Sequence, residues 1–375
     1  MIYLDNAATT YPKPEIVYRE MDDISRNYAV NAGRGSYKAA QKAVKVIDDT
    51  RAALLKLFHA EGIADIVFTT SVTQALNIVI AGLDLKENDV VYISPYEHNA
   101  VVRTLHMLQK KVGFTVREMP LTKTLEIDLG KLEYDFAERH PSAVIVTAVS
   151  NVTGYQLPIC DIFQLSKKYN AITITDAAQA AGLIDLNFDK IQADIICFAG
   201  HKTLYGPFGI AGFAIKKGMN LKQTFAGGTG SHSLSPEMPQ NAPERYEAGS
   251  CNVVAMMGLY TAMESLKQDE HYRKISELTR YTKDVLSGIQ GTKILGQTKE
   301  QISIISIVVE GYLSDEIGKI LDEEYDIAVR TGYHCAPLIH KYLRDETYEG
   351  TVRIGLGYYN NEEDIDKLAE ALMSL

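Results

Sequence analysis

Cysteine is scarce in this chain of 375 residues: there are four, Cys160, Cys197, Cys251 and Cys335, with no CxxC pair and no metal-ligand spacing. That excludes a disulfide framework and gives no reason to expect a metal site. No apolar run reaches the roughly 18 residues of a membrane span. Basic residues are outnumbered, 38 Lys and Arg against 48 Asp and Glu, for a net charge of −10, so a nucleic-acid partner held on a basic surface is not expected. Internal repeats and low-complexity tracts are missing too. The chain enters a strand pattern at Tyr3 with no signal-peptide character before it, and the expectation is a cytoplasmic protein.

What is present is an ordinary globular composition, 46% hydrophobic and 23% charged, long enough for a large core and two domains. Through about residue 217, apolar strand runs alternate with helical patterns. Among them are 65–70, 90–95, 142–149, 171–176 and 193–198. This order predicts a mainly parallel sheet with helices on both faces. The helix after 65–70 carries Val72, Ala75, Leu76, Val79, Ile80 and Leu83 at the spacing of a buried stripe. Residues 224–252 are rich in Gly, Ser and Pro and show no period, which suggests a functional or interface loop. Beyond them we expect one long helical stretch (253–288), a strand at 302–309, a helix at 314–325, strands at 327–330 and 351–356, and a final helix. That last helix places Ile365, Leu368, Ala369 and Leu372 on one face, with Glu362, Glu363 and Asp364 in its first turn. The expected division is a large domain at 15–255 and a smaller α+β domain built from 1–14 and 256–375.

Two stretches carry chemistry. Lys202 follows an apolar strand inside Gly200-His201-Lys202-Thr203-Leu204-Tyr205-Gly206-Pro207, and Asp176 ends another strand in Thr175-Asp176-Ala177-Ala178-Gln179. A lysine after Gly-His is ordinarily a solvated loop residue, but an acid at the carboxyl end of a nearby strand changes that reading, because ligands of α/β sheets bind there. Pyridoxal phosphate needs an amine to hold its aldehyde and a carboxylate to keep its ring nitrogen protonated. Lys202 and Asp176 can supply both. Ser71 and Thr73 open a helix, where they serve either as an ordinary N-cap or beside a phosphate.

These stretches, with Tyr3-Leu4-Asp5-Asn6-Ala7-Ala8-Thr9-Thr10 at one end and Arg330-Thr331-Gly332-Tyr333-His334-Cys335-Ala336-Pro337 and Arg353 at the other, resemble the class V aminotransferase family. The likeness is to its cysteine desulfurase and selenocysteine lyase branch, and it spans nearly the whole chain. It implies the pyridoxal-phosphate fold type I, with a mainly parallel seven-stranded sheet between helices and a smaller C-terminal α+β domain. By the same resemblance Lys202, Cys335 and His98 are catalytic. Val72, Thr73, His98, Asn151, Asp176, Gln179, His201, Lys202 and Ser250 surround the cofactor, and Arg353, Asn151 and Asn31 hold the substrate. Asn31 opens the loop Asn31-Ala32-Gly33-Arg34-Gly35. Ser250 is expected to reach the cofactor of a second copy, which makes a homodimer the expected unit.

The implied reaction takes L-cysteine to L-alanine, leaves a persulfide on Cys335 and passes its sulfur to an acceptor protein, as iron–sulfur cluster assembly requires. A free thiol with a pKa of about 8.5 is only a few per cent thiolate at pH 7, so a neighbouring positive charge would help, and His334 is the sequence neighbour able to carry one. Selenocysteine lyase and an aminotransferase or other β-lyase are the alternative activities. A scaffold without catalysis is disfavoured by the presence of Lys202, Asp176, Cys335 and Arg353 together. The chain departs from the commonest family pattern at Ala199, where many relatives carry serine, and at Tyr333, where a second histidine is usual.

Overall fold

The computed structural model describes residues 1–32, 35–230 and 234–375. Strands β1 (Ile2–Tyr3), β2 (Ala64–Thr69), β3 (Val90–Ile93), β4 (Thr115–Glu118), β5 (Ala143–Thr147), β6 (Ile172–Asp176), β7 (Ile195–Ala199) and β8 (Ala211–Lys216) precede residue 217. The last seven form one sheet in the order β2-β8-β7-β6-β5-β3-β4, parallel throughout except at β8, which runs against both neighbours. The expected fold class is therefore borne out. Strands β5 and β7 are buried at every position, as continuous Val/Ile runs covered on both faces must be.

A second sheet follows. Strands β9 (Thr292–Leu295), β10 (Ile304–Val309), β11 (Ile327–Ala328), β12 (Arg330–Gly332) and β13 (Thr351–Gly355) complete the set; β12, β13, β10 and β9 form a four-stranded antiparallel sheet, while β11 pairs in parallel with β1. The helix Glu362–Met373 closes it. Asn361 Oδ1 accepts from the Asp364 amide and Asp364 Oδ2 accepts from the Asn361 amide, a capping box that starts the helix. Its Ile365, Leu368, Ala369 and Leu372 are all buried, as the period required.

Three expectations are corrected. The stretch 253–288 is two helices, Val253–Ser265 and Gln268–Ser287: Leu266 is extended, and Asp269 and Glu270 open the second helix, where negative charge favours a new N-terminus. The strand at 327–330 is divided, because β11 and β12 belong to different sheets and Val329 lies between them. The strand at 302–309 begins only at Ile304, after Ser303 adopts a φ of 66°. The helices Glu15–Asn27 and Leu129–Glu138 and strand β9 had not been expected.

The N-terminal segment joins the two sheets. Beyond β1, the amide of Asn6 donates to the Gly355 carbonyl and the amide of Gly355 to the Leu4 carbonyl. A Cβ at Gly355 would come within 2.7 Å of the Ala7 nitrogen, so only glycine admits this approach. On its other side the segment reaches the large sheet, where Gln179 Nε2 donates to the Ala7 carbonyl at 2.7 Å and Thr9 and Thr10 bond the His201 carbonyl.

Candidate active site

Strands β2, β3, β5, β6 and β7 run in one direction, so their carboxyl ends open on the same edge of the sheet. Thr73, His98, Asn151, Asp176 and Lys202 all follow or end those strands. Convergence at such an edge is what an α/β sheet offers a ligand.

Lys202 is half-buried, and among the described residues its amine pairs with no carboxylate. Burial, reinforced by Arg353 and Arg330, pushes its pKa down to about 8 against the opposing pull of Asp176 and Asp5. Such an amine is a better nucleophile at neutral pH than an exposed lysine. Asp176 is buried, and burial pushes its carboxyl up while the Ala178 amide, at 2.9 Å from Oδ1, and the Lys202 charge pull it down. Its Oδ2 has no partner among the described residues, so a cation placed there would complete the site.

His98 is both cap and site residue. Its Nδ1 accepts from the Ala100 amide at 3.0 Å, which leaves the ring proton on Nε2. Burial, with Lys202, Arg103 and Arg353 nearby, pushes its pKa to about 4, so the ring is neutral. Behind it Glu97 is fully buried: Oε1 accepts from Ser94 Oγ at 2.5 Å and from the Thr147 amide at 2.7 Å, and burial raises the carboxyl to about 8. The helix Val72–Gly82 begins beside them. Ser71 caps it by accepting from the Gln74 amide at 3.2 Å, leaving the first-turn amides of Val72 and Thr73 free of helical partners. His201 stacks on the exposed Phe208, and its Nδ1 is buried without a hydrogen-bond partner among the described residues. Ala199, 1% exposed, ends β7 opposite Ala211.

Arg353, on β13, reaches this edge from the second sheet. Its Nη2 lies 2.8 Å from Asp5 Oδ1 and its Nη1 donates to the Asn151 carbonyl at 3.0 Å, while Nε is buried with no partner among the described residues. Asp5 Oδ2 accepts from Arg330 Nε at 3.1 Å. Asp5 lies in the Tyr3–Thr10 stretch, where an acid flanked by Leu4 and Asn6 gives no sign of two arginines more than 320 positions away.

Cys335 is exposed at the end of this group, with φ of 58°, directly after His334 with φ of 46°. It lines a cavity of about 370 Å³ with Thr73, Asn77, His98 and Arg103. The expectation that His334 carries a charge is corrected: its Nε2 meets Thr351 Oγ1 at 2.8 Å, and burial together with Arg353, His340 and Arg330 drives its pKa to about 2. Positive charge near Cys335 comes from the guanidinium groups of Arg353 and Arg103.

The family model for aminotransferase class-V matches residues 2–368. The chain belongs to the class-V aminotransferase family. Within the family it is similar to the probable cysteine desulfurase of Halalkalibacterium halodurans, 30% identical over 99% of this chain and 92% of the relative, and to the cysteine desulfurase of Yersinia pestis bv. Antiqua, 30% identical over 100% and 93%. Among solved structures it resembles the apo cysteine desulfurase from Thermococcus onnurineus NA1 (TM-score 0.90, 27% identity, 100% of this chain and 94% of that one). It also resembles the S-sulfonic acid form of the cysteine desulfurase CsdA from Escherichia coli (TM-score 0.85, 27% identity, 99% and 93%).

Of the sequence-expected residues of this class-V member, Thr73, His98 and Cys335 line the Cys335 cavity, and Asn31 and Ser250 line a different one. Asn31 Nδ2 donates to Ser250 Oγ at 3.2 Å, and both line a surface cavity of about 540 Å³ with Arg51, Glu247 and Cys251. Ser250 also borders a small cavity with Thr69, Thr70 and Gln74, next to the start of the Val72 helix. Gly33 and Arg34 of the expected loop lie outside the described residues. Sequence reasoning missed Lys13, whose amine bonds Thr10 Oγ1 at 2.8 Å and the His201 carbonyl at 2.9 Å and whose pKa burial lowers to about 7. It also missed Asn99, whose amide donates to the Cys335 carbonyl at 2.7 Å.

Proposed function

We propose that this chain is a pyridoxal-phosphate-dependent cysteine desulfurase. The observation that carries the reading is the shared cavity of Cys335 and His98: an exposed thiol on a left-handed turn faces the same space as a ring close enough to Lys202 to feel its charge. The site suits the cofactor. Lys202 offers an amine of lowered pKa, Asp176 Oδ2 can meet a cation, His201 Nδ1 is a buried nitrogen with no partner among the described residues, and the Val72 and Thr73 amides open a helix toward an anion. Asn151, Gln179 and His98 stand around them, with His98 presenting its flat ring. When bound, the cofactor supplies an electron sink for the amino-acid carbon skeleton.

Lys202 then holds and returns the substrate α-proton, while Arg353 meets the substrate carboxylate, with Asn151 and Asn31 as further substrate contacts. Cys335 Sγ forms a bond to the substrate sulfur, the Cβ–S bond breaks, and Cβ takes up a proton. L-cysteine and the Cys335 thiol thus become L-alanine and a Cys335 persulfide. An acceptor protein takes the outer sulfur, in iron–sulfur cluster assembly or a related sulfur pathway.

We further propose a homodimer. Its support is that Ser250 and Asn31 line one surface cavity, together with the exposed Tyr37, Phe208 and Phe225, apolar side chains that a partner would cover. The chain has no helix, among its described residues, long and apolar enough to cross a membrane. Its four free cysteines suit the reducing cytoplasm to which we assign it.

The test is Cys335→Ala. The variant should bind cofactor and cysteine, release little alanine and carry no persulfide; alanine at the parent rate would defeat the reading. Selenocysteine and an amino donor with a keto acid, supplied separately, identify a lyase or aminotransferase by selenide or by a new keto acid that persists without Cys335.

A further inference from the structure

Three successive carbonyls in the Cys335 loop are held from three directions. The Cys335 carbonyl accepts from the Asn99 amide at 2.7 Å, and the His334 carbonyl from Asn151 Nδ2 at 2.6 Å. The Tyr333 carbonyl accepts from the Ala336 amide at 3.1 Å and faces His340 Nε2 at 2.9 Å. Left-handed backbone at two consecutive residues that are not glycine persists only where surroundings hold it. His334 and Cys335 both have it, so these ties decide where the thiol points.

His340 is the tie that comes from outside the edge already described. It is 4% exposed and opens the short helix His340–Leu343. Its Nδ1 lies 2.6 Å from Asp345 Oδ2, and Asp345 is fully buried. A carbonyl cannot donate, so Nε2 carries a hydrogen in its bond to Tyr333, while a second hydrogen lies between Nδ1 and the Asp345 carboxyl, which holds the ring in place. Asp345 Oδ1 is buried with no partner among the described residues. An orphaned oxygen works against stability, so the dyad is poorly explained as a stabilising device; what it grips is the carbonyl two residues before Cys335.

We propose that His340, oriented by Asp345, is a positioning residue for Cys335: its imidazole N–H fixes the Tyr333 carbonyl and thereby aims the thiol into the cavity it shares with His98. The proposal rests on reading Cys335 as the sulfur-taking nucleophile, and its consequences separate from that reading. Sulfur transfer depends on the aim of the thiol, whereas cofactor binding and substrate binding do not.

The experiment compares His340→Gln with His340→Met in the cofactor-loaded protein. The two side chains have nearly the same length, and only glutamine keeps an N–H for the Tyr333 carbonyl. Three quantities are read: alanine release from L-cysteine, the rate at which iodoacetamide alkylates Cys335, followed by mass spectrometry, and the absorbance of the resting cofactor. His340→Met should lose about tenfold or more in kcat and change the alkylation rate at least threefold, with KM and cofactor absorbance within twofold of the parent. His340→Gln should recover most of both losses. Equal impairment of the two variants, or parent-like alkylation and kcat in His340→Met, overturns the proposal. So does loss of activity only in proportion to lost cofactor. Should His340→Met fail to fold, nitrogen-15 histidine spectra of the unaltered protein decide: a protonated Nε2 at His340 is expected, and a bare one refutes it. If Cys335→Ala makes alanine at the parent rate, the desulfurase reading falls, while the alkylation comparison still decides how the loop is held.

Discussion

Asp5 Oδ1 lies 2.8 Å from Arg353 Nη2, so the guanidinium assigned to the substrate carboxylate already has an anionic partner from the first strand's end. Asp5 spans to Arg330 as well. One carboxylate thus shares its charge between two arginines and leaves a net positive site for a second carboxylate.

The first prediction follows from that sharing. Arg353→Ala should weaken cysteine use by about 2 to 5 kcal/mol, the cost of unpairing a buried charge, with the resting cofactor absorbance intact. Arg353→Lys should rescue little, because an ammonium cannot serve Asp5, the Asn151 carbonyl and a substrate together. Steady-state kinetics check both, and unchanged kinetics would move the carboxylate to Arg330.

A second prediction concerns pH and Lys202. Its folded pKa, about 8, is below the unfolded lysine value of about 10.4. Between these values the unfolded chain binds more protons, so apoprotein stability attributable to Lys202 rises with pH across that window. The free amine also increases through pH 8, and cofactor loading of the apoprotein, followed by absorbance, should accelerate up to that pH and then level off. Lys202→Ala should show neither effect and retain no borohydride-reducible cofactor linkage.

Glu97 gives a third prediction, with the opposite sign. Its carboxyl is raised to about 8, above the unfolded value of about 4.3, so the folded chain binds the extra proton between them and stability falls as pH rises through that window. The slope is at most about 1.4 kcal/mol per pH unit. Glu97→Gln keeps an acceptor for Ser94 and the Thr147 amide and should remove the slope, so that denaturation curves of variant and parent diverge from pH 5 to pH 8. Parallel curves would mean that Glu97 is ionised in the fold.

The fourth concerns Ala199. If it stands where a phosphate donor is missing, Ala199→Ser should slow cofactor loss on dialysis by roughly tenfold or more, one charge-assisted hydrogen bond contributing about 1.5 to 3 kcal/mol. Unchanged retention would show that the Val72 and Thr73 amides with His201 already satisfy the phosphate.

The sequence by itself determined the elements whose causes are local. Continuous apolar runs specified β5 and β7, the 3.6-residue period specified the buried faces of the helices beginning at Val72 and Glu362, and an acid and a lysine at strand ends marked Asp176 and Lys202. Weak local signals went astray. The break at Leu266 and the division between β11 and β12 depend on which neighbouring surface each piece covers. Tertiary structure alone decided the rest. Asp5 meets Arg353 across 348 positions, Lys13 meets His201 across 188, and His334 loses its charge because burial and the arginines around it disfavour a proton. Hydrogen bonds and desolvation act through space over a few ångströms, whereas periodicity and turn chemistry act along the chain; a charge state or an aimed thiol belongs to the first kind, and it exists only once the two sheets have closed on the N-terminal segment.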